Sequence, residues 1–117
     1  MKVGIDIEEV VRIEKLLSEK ENNLERIFTK NEILYCNKFS DKANRFAGFF
    51  CAKEAFSKAL GTGFSNGVKF SDIEVVHSIT GAPEISEGTI KNFCPDRQIA
   101  LSISHTKNTA TAICIIY

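Results

Sequence analysis

Apolar residues recur at helical spacing through the first half of the chain and alternate with polar residues in much of the second half. Lys2 to Ile7 is predicted to form a short strand, and Glu8 to Ser18 is predicted to form a helix. Thr29 and Glu32 fit a capping box, in which each side chain bonds the backbone N–H of the other residue, so a second helix is predicted toward Phe39. One strand followed by helices is therefore expected in this half.

The longest apolar segment is predicted to form a buried helix from about Asp41 to Leu60. At about 100° per residue, its apolar side chains cover almost the whole circumference, which is typical of a buried helix. Gly61 follows at a position where left-handed backbone ends a helix at little cost. Ionised groups are costly in such surroundings unless they are paired or bind a metal, yet this segment contains Lys53, Glu54 and Lys58. The helix is therefore predicted to form the floor of a site.

The second half is predicted to be mainly strands and turns. The expected elements are a strand over 72–78, a turn at 81–83, a short strand at 84–85, a helix capped by Ser86 that runs to Phe93, and two strands over 98–104 and 109–117 joined by a hairpin at 107–108. This order predicts an α+β fold. We expect one domain over residues 1–117, with the long buried helix packed on a small, mainly antiparallel sheet.

Composition and charge exclude several classes of protein. The 117 residues include fifteen basic and fifteen acidic ones, so no net field attracts the chain to nucleic acid. The apolar runs are shorter than the ~20 residues of a membrane span, and Asp6 interrupts the N-terminal one, so neither an anchor nor a secretory leader is predicted. The widely separated cysteines are expected to be reduced core residues of a cytoplasmic protein: Cys36, Cys51, Cys94 and Cys114.

Asp6 and the Glu54–Lys58 pair each have both an ordinary and a functional interpretation, whereas Lys53 has an ordinary one. On the residues alone, Asp6 is favoured as the N-cap of the helix that starts near Glu8; alternatively, it provides magnesium with carboxylate oxygens together with Glu54. Glu54 and Lys58 lie four residues apart, as in a surface ion pair, but their apolar surroundings equally favour a site. Lys53 lies on an apolar side of the helix and is expected to extend its ammonium group to water.

Two further segments are candidates for phosphate binding. His105 lies between hydroxyl residues at the predicted hairpin, where its imidazole could donate a hydrogen bond to phosphate. His77 is interpreted as structural or incidental, as most isolated histidines are. The Gly61-Thr62-Gly63 segment would let a ligand approach the backbone, but it ends a helix instead of starting one, so it is not a P-loop.

Three motifs follow one another along the chain. They are Gly4-Ile5-Asp6 with Val10-x-Arg12-Ile13, the segment from Phe50 to Gly63 that contains Lys53-Glu54-Ala55-Phe56-Ser57-Lys58, and Ser102-Ile103-Ser104-His105-Thr106. In this order they resemble the holo-(acyl-carrier-protein) synthases, the small bacterial-type group of 4′-phosphopantetheinyl transferases. The resemblance spans the whole chain, because Ile73-Glu74-Val75 and Gly81-Ala82-Pro83 also fall where that family has a strand and a Gly-x-Pro turn.

The resemblance implies a transferase of fatty acid biosynthesis. It would move the 4′-phosphopantetheine group of coenzyme A to a serine of apo acyl carrier protein and release adenosine 3′,5′-bisphosphate. Asp6 and Glu54 would bind magnesium, and Lys58 would act with them on the phosphates. Either Glu54 or a magnesium-bound hydroxide would take the serine proton. The residues expected to contact coenzyme A are Lys58, Gly63, His105 and Thr106.

The resemblance also implies a homotrimer whose sites lie between adjacent subunits. Asp6 and Glu54 would then belong to one protomer, and His105 and Thr106 to another. The chain is 44% hydrophobic, and we expect Phe49 and the final strand, Thr111 to Tyr117, to provide the buried subunit contact.

The sequence departs from the family pattern at two places. Phe49 stands where the family has an arginine that contacts coenzyme A phosphates, and Arg45, one helical turn earlier, is a candidate replacement. The first helix, which is basic in the family and docks the acidic carrier, here mixes both charges, so docking is expected to be weaker or differently placed. The residues concerned are Arg12, Lys15, Lys20 and Arg26 against Glu14, Glu19, Glu21 and Glu25.

Two other classes of function remain open on the sequence. One is a non-catalytic coenzyme A or nucleotide-binding module, which the change at Phe49 alone would permit. The other is a structural α+β interaction domain in which the charges of Asp6, Glu54 and Lys58 form only ion pairs.

Overall fold

A long helix lies against the inner face of a three-stranded sheet, as the sequence predicts. The computed structural model describes residues 1–19, 24–64 and 67–117. Its elements in chain order are β1 (Lys2–Glu9), α1 (Val10–Ser18), α2 (Leu24–Ile27), α3 (Lys30–Cys36), α4 (Lys42–Leu60), a 3₁₀ turn (Phe70–Asp72), β2 (Val75–His77), β3 (Pro83–Ile85), α5 (Glu87–Phe93), β4 (Ile99–His105) and β5 (Thr109–Ile116).

The main sheet is antiparallel and has the strand order β1-β5-β4. Its register pairs Asp6 of β1 with Ala112 of β5, which in turn pairs with Ile103 of β4. Side chains alternate between the two faces of a strand, so every second residue of β5 is buried against α4. These inner residues are Ala110, Ala112, Cys114 and Ile116. β2 and β3 form a separate antiparallel pair.

The strand β1 crosses α4 in direct backbone contact at Gly4. A Cβ atom at this position would overlap the carbonyl oxygen of Ala55 and lie 2.7 Å from the backbone nitrogen of Ala59. Every residue except glycine would therefore force the strand away from the helix. Small residues on α4 complete this contact, because Ala55 and Ala59 are both buried.

The helix α4 is buried around most of its circumference, as its composition predicts. Phe46, Ala52 and Phe56 are fully buried members of the core. The helix ends at Gly61, whose φ of 87° is the predicted left-handed termination. The capping box that opens α3 is also confirmed, with the Thr29 hydroxyl accepting from Glu32 N and the Glu32 carboxylate accepting from Thr29 N.

Local features of the fold differ from the sequence prediction at two places. β1 continues to Glu9 and α1 begins at Val10, because residues 2–9 all pair with β5. The short helix α2 and the 3₁₀ turn were not predicted. All four cysteines are buried with free thiols, as expected of core residues. Among the described residues, none of the helices combines the length and apolar character needed to cross a membrane.

Candidate active site

The structure brings Asp6, Glu54 and Lys58 together where β1 lies on α4. Lys58 Nζ donates to Asp6 Oδ1 at 3.2 Å and to the carbonyl oxygen of Ile5 at 3.0 Å. Asp6 lies in the middle of a strand, and Glu9 occupies the N-cap position of α1, so the N-cap interpretation of Asp6 is wrong. The interpretation of Glu54 and Lys58 as an ordinary surface pair also fails, because Lys58 pairs across to β1.

Asp6 leaves one carboxylate oxygen without a protein partner. Oδ2 is buried, and in the described part of the chain it has no hydrogen-bond partner. Burial raises the pKa of Glu54, and the negative charges of Asp6 and Glu8 raise it further, while Lys58 lowers it. The Asp6 carboxylate therefore lies close enough to Glu54 to disfavour the charged form of Glu54.

Two carboxylates with an unsatisfied oxygen fit a hard divalent cation. Magnesium is commonly held by one or two carboxylates and takes its other ligands from water and substrate phosphates. Across residues 1–19, 24–64 and 67–117 there is no group of three or more His, Cys, Asp or Glu side chains placed to hold a metal. A cation bound by Asp6 and Glu54 would thus keep positions open for a phosphorylated ligand.

Lys53 points into the core, and the expectation that it extends to water is wrong. Its side chain is fully buried and forms an ion pair of 2.6 Å with Glu32, which is equally buried. Nζ also donates to the carbonyl oxygens of Ile27, Phe70 and Ile73 at 2.8, 3.0 and 2.7 Å. This pair therefore joins α4 to the end of α2, the start of α3, the 3₁₀ turn and the segment that leads into β2.

The His105–Thr106 segment lies near the opposite end of α4 from Glu54. Asn44 Nδ2 holds this hairpin by donating to the carbonyl oxygens of Thr106 at 3.0 Å and Lys107 at 3.1 Å. Asn44 and Glu54 are ten positions apart on the helix, which corresponds to about 15 Å along its axis. One protomer therefore does not bring His105 and Thr106 to the carboxylate pair.

Gly63 lies in the turn after α4 with φ of 57°, a conformation that favours glycine. Its backbone N–H donates to the carbonyl oxygen of Ser57 at 3.1 Å. Apart from its two chain neighbours, no residue of the described ranges has an atom within 4 Å of where a Cβ at Gly63 would lie, so these residues leave the backbone open to close approach. The N–H of Gly63 is therefore not free to bind a ligand, and the candidate contribution of Gly63 is the close approach that its missing side chain permits.

A cavity of about 170 Å³ lies beside His105, between the start of α4 and the β2–β3 pair. Its lining includes Tyr35, Arg45, Phe49 and His77. Phe49 is only 3% exposed and packs on rings of its own chain, so its predicted role as a subunit contact is wrong. Sequence reasoning also missed the place of His77 in this cavity, since contact between β2 and α3 has no local signal.

Arg12, on the first helix with its mixture of basic and acidic residues, forms an ion pair with β1. Arg12 Nη1 pairs with Glu8 Oε1 at 2.9 Å, and the Arg12 side chain remains 72% exposed while that of Glu8 is 10% exposed. The guanidinium is therefore held beside Glu8, two residues along β1 from Asp6, and is still accessible from solvent. Lys20 and Glu21, two of the residues considered for carrier docking, lie outside the described residues.

Comparison with known proteins decides the family. Residues 2–115 match the model of the 4′-phosphopantetheinyl transferase superfamily. This protein belongs to that superfamily. The holo-[acyl-carrier-protein] synthase of Thermoanaerobacter sp. (strain X514) is 48% identical over 117 residues, which cover 97% of this chain and 84% of the relative. That of Clostridium tetani is 42% identical over 118 residues, covering 97% and 93% of the two chains.

Solved structures of the same superfamily share the fold. The Helicobacter pylori holo-[acyl-carrier-protein] synthase in complex with coenzyme A superposes with a TM-score of 0.84 at 37% identity, covering 98% of this chain and 99% of that one. The Bacillus anthracis holo-(acyl-carrier-protein) synthase, in complex with CoA (3′,5′-ADP), superposes with a TM-score of 0.83 at 39% identity, covering 98% of this chain and 94% of that one. The predicted α+β class and the resemblance to holo-(acyl-carrier-protein) synthases are both confirmed.

Proposed function

We propose that this protein transfers the 4′-phosphopantetheine group of coenzyme A to a serine of apo acyl carrier protein, with magnesium as cofactor, and so serves fatty acid biosynthesis. The observation that carries the proposal is the match of almost the whole chain to the transferase superfamily, combined with the meeting of Asp6, Glu54 and Lys58 at one place. A module that only binds coenzyme A would not need to place Glu54 beside Asp6 at the cost of desolvating the Glu54 carboxylate.

Asp6 and Glu54 are the residues that we assign to magnesium. The orphaned, buried Oδ2 of Asp6 supports this assignment, because a cation would supply the partner that the described residues lack. When bound, magnesium would neutralise charge on the pyrophosphate oxygens of coenzyme A. The cation would also offset the burial and the negative charge of Asp6 that raise the pKa of Glu54.

The reaction requires one bond exchange at phosphorus. The serine oxygen forms a P–O bond to the phosphorus attached to pantetheine, the P–O bond to the adenosine 3′,5′-bisphosphate breaks, and the serine loses its proton. The Lys58 ammonium, already held by Asp6, would stabilise negative charge on the phosphates. Either Glu54 or a hydroxide bound to magnesium would take the proton of the serine.

The ligand would have to contact two protomers. Gly63 follows the end of α4 that carries Lys58, whereas His105 and Thr106 lie beside Asn44, about 15 Å along α4 from Glu54. We infer that His105 and Thr106 of an adjacent subunit complete the site in a homotrimer. We also infer a cytoplasmic location, which the four free, buried thiols support.

Incubation of this protein with apo acyl carrier protein, magnesium and coenzyme A tests the proposal. Mass spectrometry is expected to find the carrier heavier by one phosphopantetheine on its serine, with adenosine 3′,5′-bisphosphate released in equal amount. A protein that binds coenzyme A but leaves the carrier unchanged would instead be a binding module. Absence of binding with and without magnesium would favour a structural domain.

The exposed face of the sheet is expected to form the subunit contact. Val3, Ile5 and Ile7 are 62%, 61% and 69% exposed, and the neighbouring Ile113 is 39% exposed. A contiguous apolar face of this kind is usually covered in an oligomer. Ile5→Glu is therefore expected to give monomers without transferase activity in analytical ultracentrifugation and in the transfer assay.

Leu34→Glu is the matched control for the assembly prediction. Leu34 on α3 is 65% exposed and apolar, but it lies away from the sheet face, so this variant should keep the wild-type assembly and activity. A wild-type protein that sediments as an active monomer would contradict the trimer.

Arg12→Glu is expected to raise the KM for the acyl carrier with little change in the KM for coenzyme A. Acyl carriers are acidic, and Arg12 is an exposed cation of α1 that is paired with Glu8 on β1. The acidic residues of α1 should make the salt dependence of carrier KM shallower than that of a uniformly basic helix. Steady-state kinetics at several salt concentrations measure both effects.

Arg97→Glu provides the control for charge reversal at an exposed position outside α1. It should leave both Michaelis constants unchanged. If Arg12→Glu chiefly weakens coenzyme A binding, the first helix is not the carrier surface.

A further inference from the structure

Glu8 places a third carboxylate on the inner side of β1. Alternate residues of a strand face the same way, so Glu8 shares the face of β1 on which Gly4 and Asp6 contact α4. Only 10% of its side chain is exposed, whereas the neighbouring Glu9 lies on the opposite face and is exposed. Glu8 is therefore a largely buried acidic group two residues from Asp6, and the assigned magnesium site does not use it.

The packing of α4 on the sheet brings Glu8 close to Glu54. The Cys51 thiol donates to the carbonyl oxygen of Ala110 at 3.4 Å, and Ala110 is the residue of β5 that pairs with Glu8. Cys51 therefore lies at the level of Glu8, and Glu54 follows about one helical turn later. Burial and the charge of Asp6 raise the pKa of Glu54, and the charge of Glu8 raises it further. Glu8 thus adds negative potential at the place where a cation would bind.

Arg12 offsets the charge of Glu8 from the solvent side. Its Nη1 lies 2.9 Å from Glu8 Oε1, yet the Arg12 side chain is 72% exposed. A cleft of about 410 Å³ opens beside the pair and is lined by Ile7, Glu8, Glu9, Arg12 and Thr109. An acidic side chain of a partner can therefore reach the guanidinium, which binds carboxylates through two parallel hydrogen bonds. Arg12 is thus one cation for which Glu8 and an acidic partner compete.

We propose that Glu8 strengthens magnesium binding through its charge, and that Arg12 determines how much of this charge the cation experiences. While Arg12 is paired with Glu8, the two charges largely cancel. When a carboxylate of the acyl carrier takes up Arg12, the charge of Glu8 is left to act on the cation. Carrier docking then tightens magnesium binding, and by linkage the carrier binds more tightly in the presence of magnesium by the same factor. The inference rests on the proposed function and adds a residue that sets metal affinity from a distance.

Isothermal titration of the metal-free, full-length protein with magnesium chloride, without coenzyme A, tests the inference. Glu8→Gln removes the attracting charge and is expected to raise the magnesium Kd about threefold or more, because a charge in partly buried surroundings acts over several ångströms. Arg12→Gln removes the opposing charge and is expected to lower the Kd by about the same factor. The two variants therefore shift the Kd in opposite directions, whereas the loss of a merely structural ion pair would have the same effect in both.

Glu9→Gln and Lys15→Gln are the matched controls, because they remove exposed charges of the same two signs from β1 and α1. Solvent and salt screen such charges, so each control should change the magnesium Kd by less than about twofold at about 0.1 M salt. A wild-type Kd in Glu8→Gln, or binding in Arg12→Gln that is no tighter than in wild type, would overturn the inference. Arg12→Gln changes an exposed position, so the test remains decisive if thermal melting shows that Glu8→Gln does not fold.

Binding of apo acyl carrier protein, measured with and without magnesium in the absence of coenzyme A, tests the coupling. Magnesium is expected to lower the carrier Kd of the wild-type protein about threefold. It should have a smaller effect on the carrier Kd of Arg12→Gln, which lacks the cation for which Glu8 and the carrier compete. An equal effect of magnesium on the two proteins would show that Arg12 does not couple the two binding events.

The transfer assay separates failure of this inference from failure of the proposed function. If the wild-type protein modifies the carrier, but Glu8→Gln and Arg12→Gln bind magnesium as wild type does, the transferase stands and the role of Glu8 is wrong. If both variants shift the magnesium Kd as expected, but the wild-type protein leaves the carrier unmodified, the role of Glu8 stands and the transferase is wrong. If the wild-type protein neither binds magnesium nor modifies the carrier, both are wrong.

Discussion

Asp6→Asn and Glu54→Gln are each expected to lower phosphopantetheine transfer by about 10²–10³-fold or more, the usual effect of removing one group that stabilises charge in a transition state. Both changes keep the size of the side chain and remove a charged oxygen from the assigned magnesium site. Asp6 and Glu54 are partly buried at the strand–helix contact, so neither change opens a cavity in the core. Initial rates at saturating coenzyme A and a range of magnesium concentrations measure the loss.

The same variants are expected to behave differently from wild type in the absence of substrate. Magnesium should raise the melting temperature of the wild-type protein and leave both variants unchanged, because a ligand that binds only the native state stabilises it. Glu84→Gln, on the exposed edge of β3, is the matched control and should respond to magnesium as wild type does. Near-normal turnover at low magnesium in either active-site variant would show that the two-carboxylate site is wrong.

The pKa of Glu54 predicts that the folding stability of the metal-free protein depends on pH. Its pKa is raised in the folded protein above the ordinary value of 4.5, so the charged form costs free energy of folding. As the pH rises from 4.5 through the raised pKa, the folded state binds more protons than the unfolded state, and stability from this group falls. Metal-free Glu54→Gln should lack this loss and melt higher than metal-free wild type at neutral pH.

Lys53→Met is expected to reduce the free energy of unfolding by about 3–5 kcal/mol, the usual cost of leaving one partner of a buried ion pair alone. Glu32 would lose the cation that favours its charged form in the core, and three carbonyl oxygens would lose their donor. A domain of this size is stable by about 5–15 kcal/mol, so the loss is a large part of the total. Urea denaturation followed by circular dichroism measures it.

Lys58→Met is the control, because Lys58 lies on the same helix in a pair that is half exposed. It should cost less than about 1 kcal/mol. Combining Lys53→Met with Glu32→Gln should cost less than the sum of the two single changes, since the second change removes the uncompensated charge. A cost below about 1 kcal/mol for Lys53→Met would mean that the ion pair does not hold these segments together.

Local pattern was sufficient to predict most of the helices and strands. The capping box at Thr29 and Glu32, the left-handed glycine at position 61 and the apolar segment before it depend on neighbouring residues, and each was predicted correctly. The motif containing Glu54 and Lys58 was found for the same reason, since residues four apart share a helix face.

The predictions that were wrong, and the features that were missed, depend on contacts between residues far apart in the sequence. On neighbouring residues alone Asp6 was favoured as a helix N-cap, but its pairing with Ala112 of β5 keeps it in the strand. Lys53 is buried because Glu32 and carbonyl groups from three other segments surround its ammonium, which no local pattern indicates. His77 gains its surroundings from α3 and α4 in the same way.

Gly4 has a consequence for catalysis as well as for packing. Because Gly4 has no side chain, the backbone of β1 lies directly on the backbone of Ala55 and Ala59. Asp6 is two residues after Gly4, and Glu54 directly precedes Ala55. This contact between main chains therefore sets the distance between the backbones of Asp6 and Glu54. If Asp6 and Glu54 bind magnesium as proposed, the gap between their carboxylates would depend on this backbone contact as well as on the rotamers of the two side chains. Selection for metal affinity would therefore act on a residue that touches neither the metal nor the substrate.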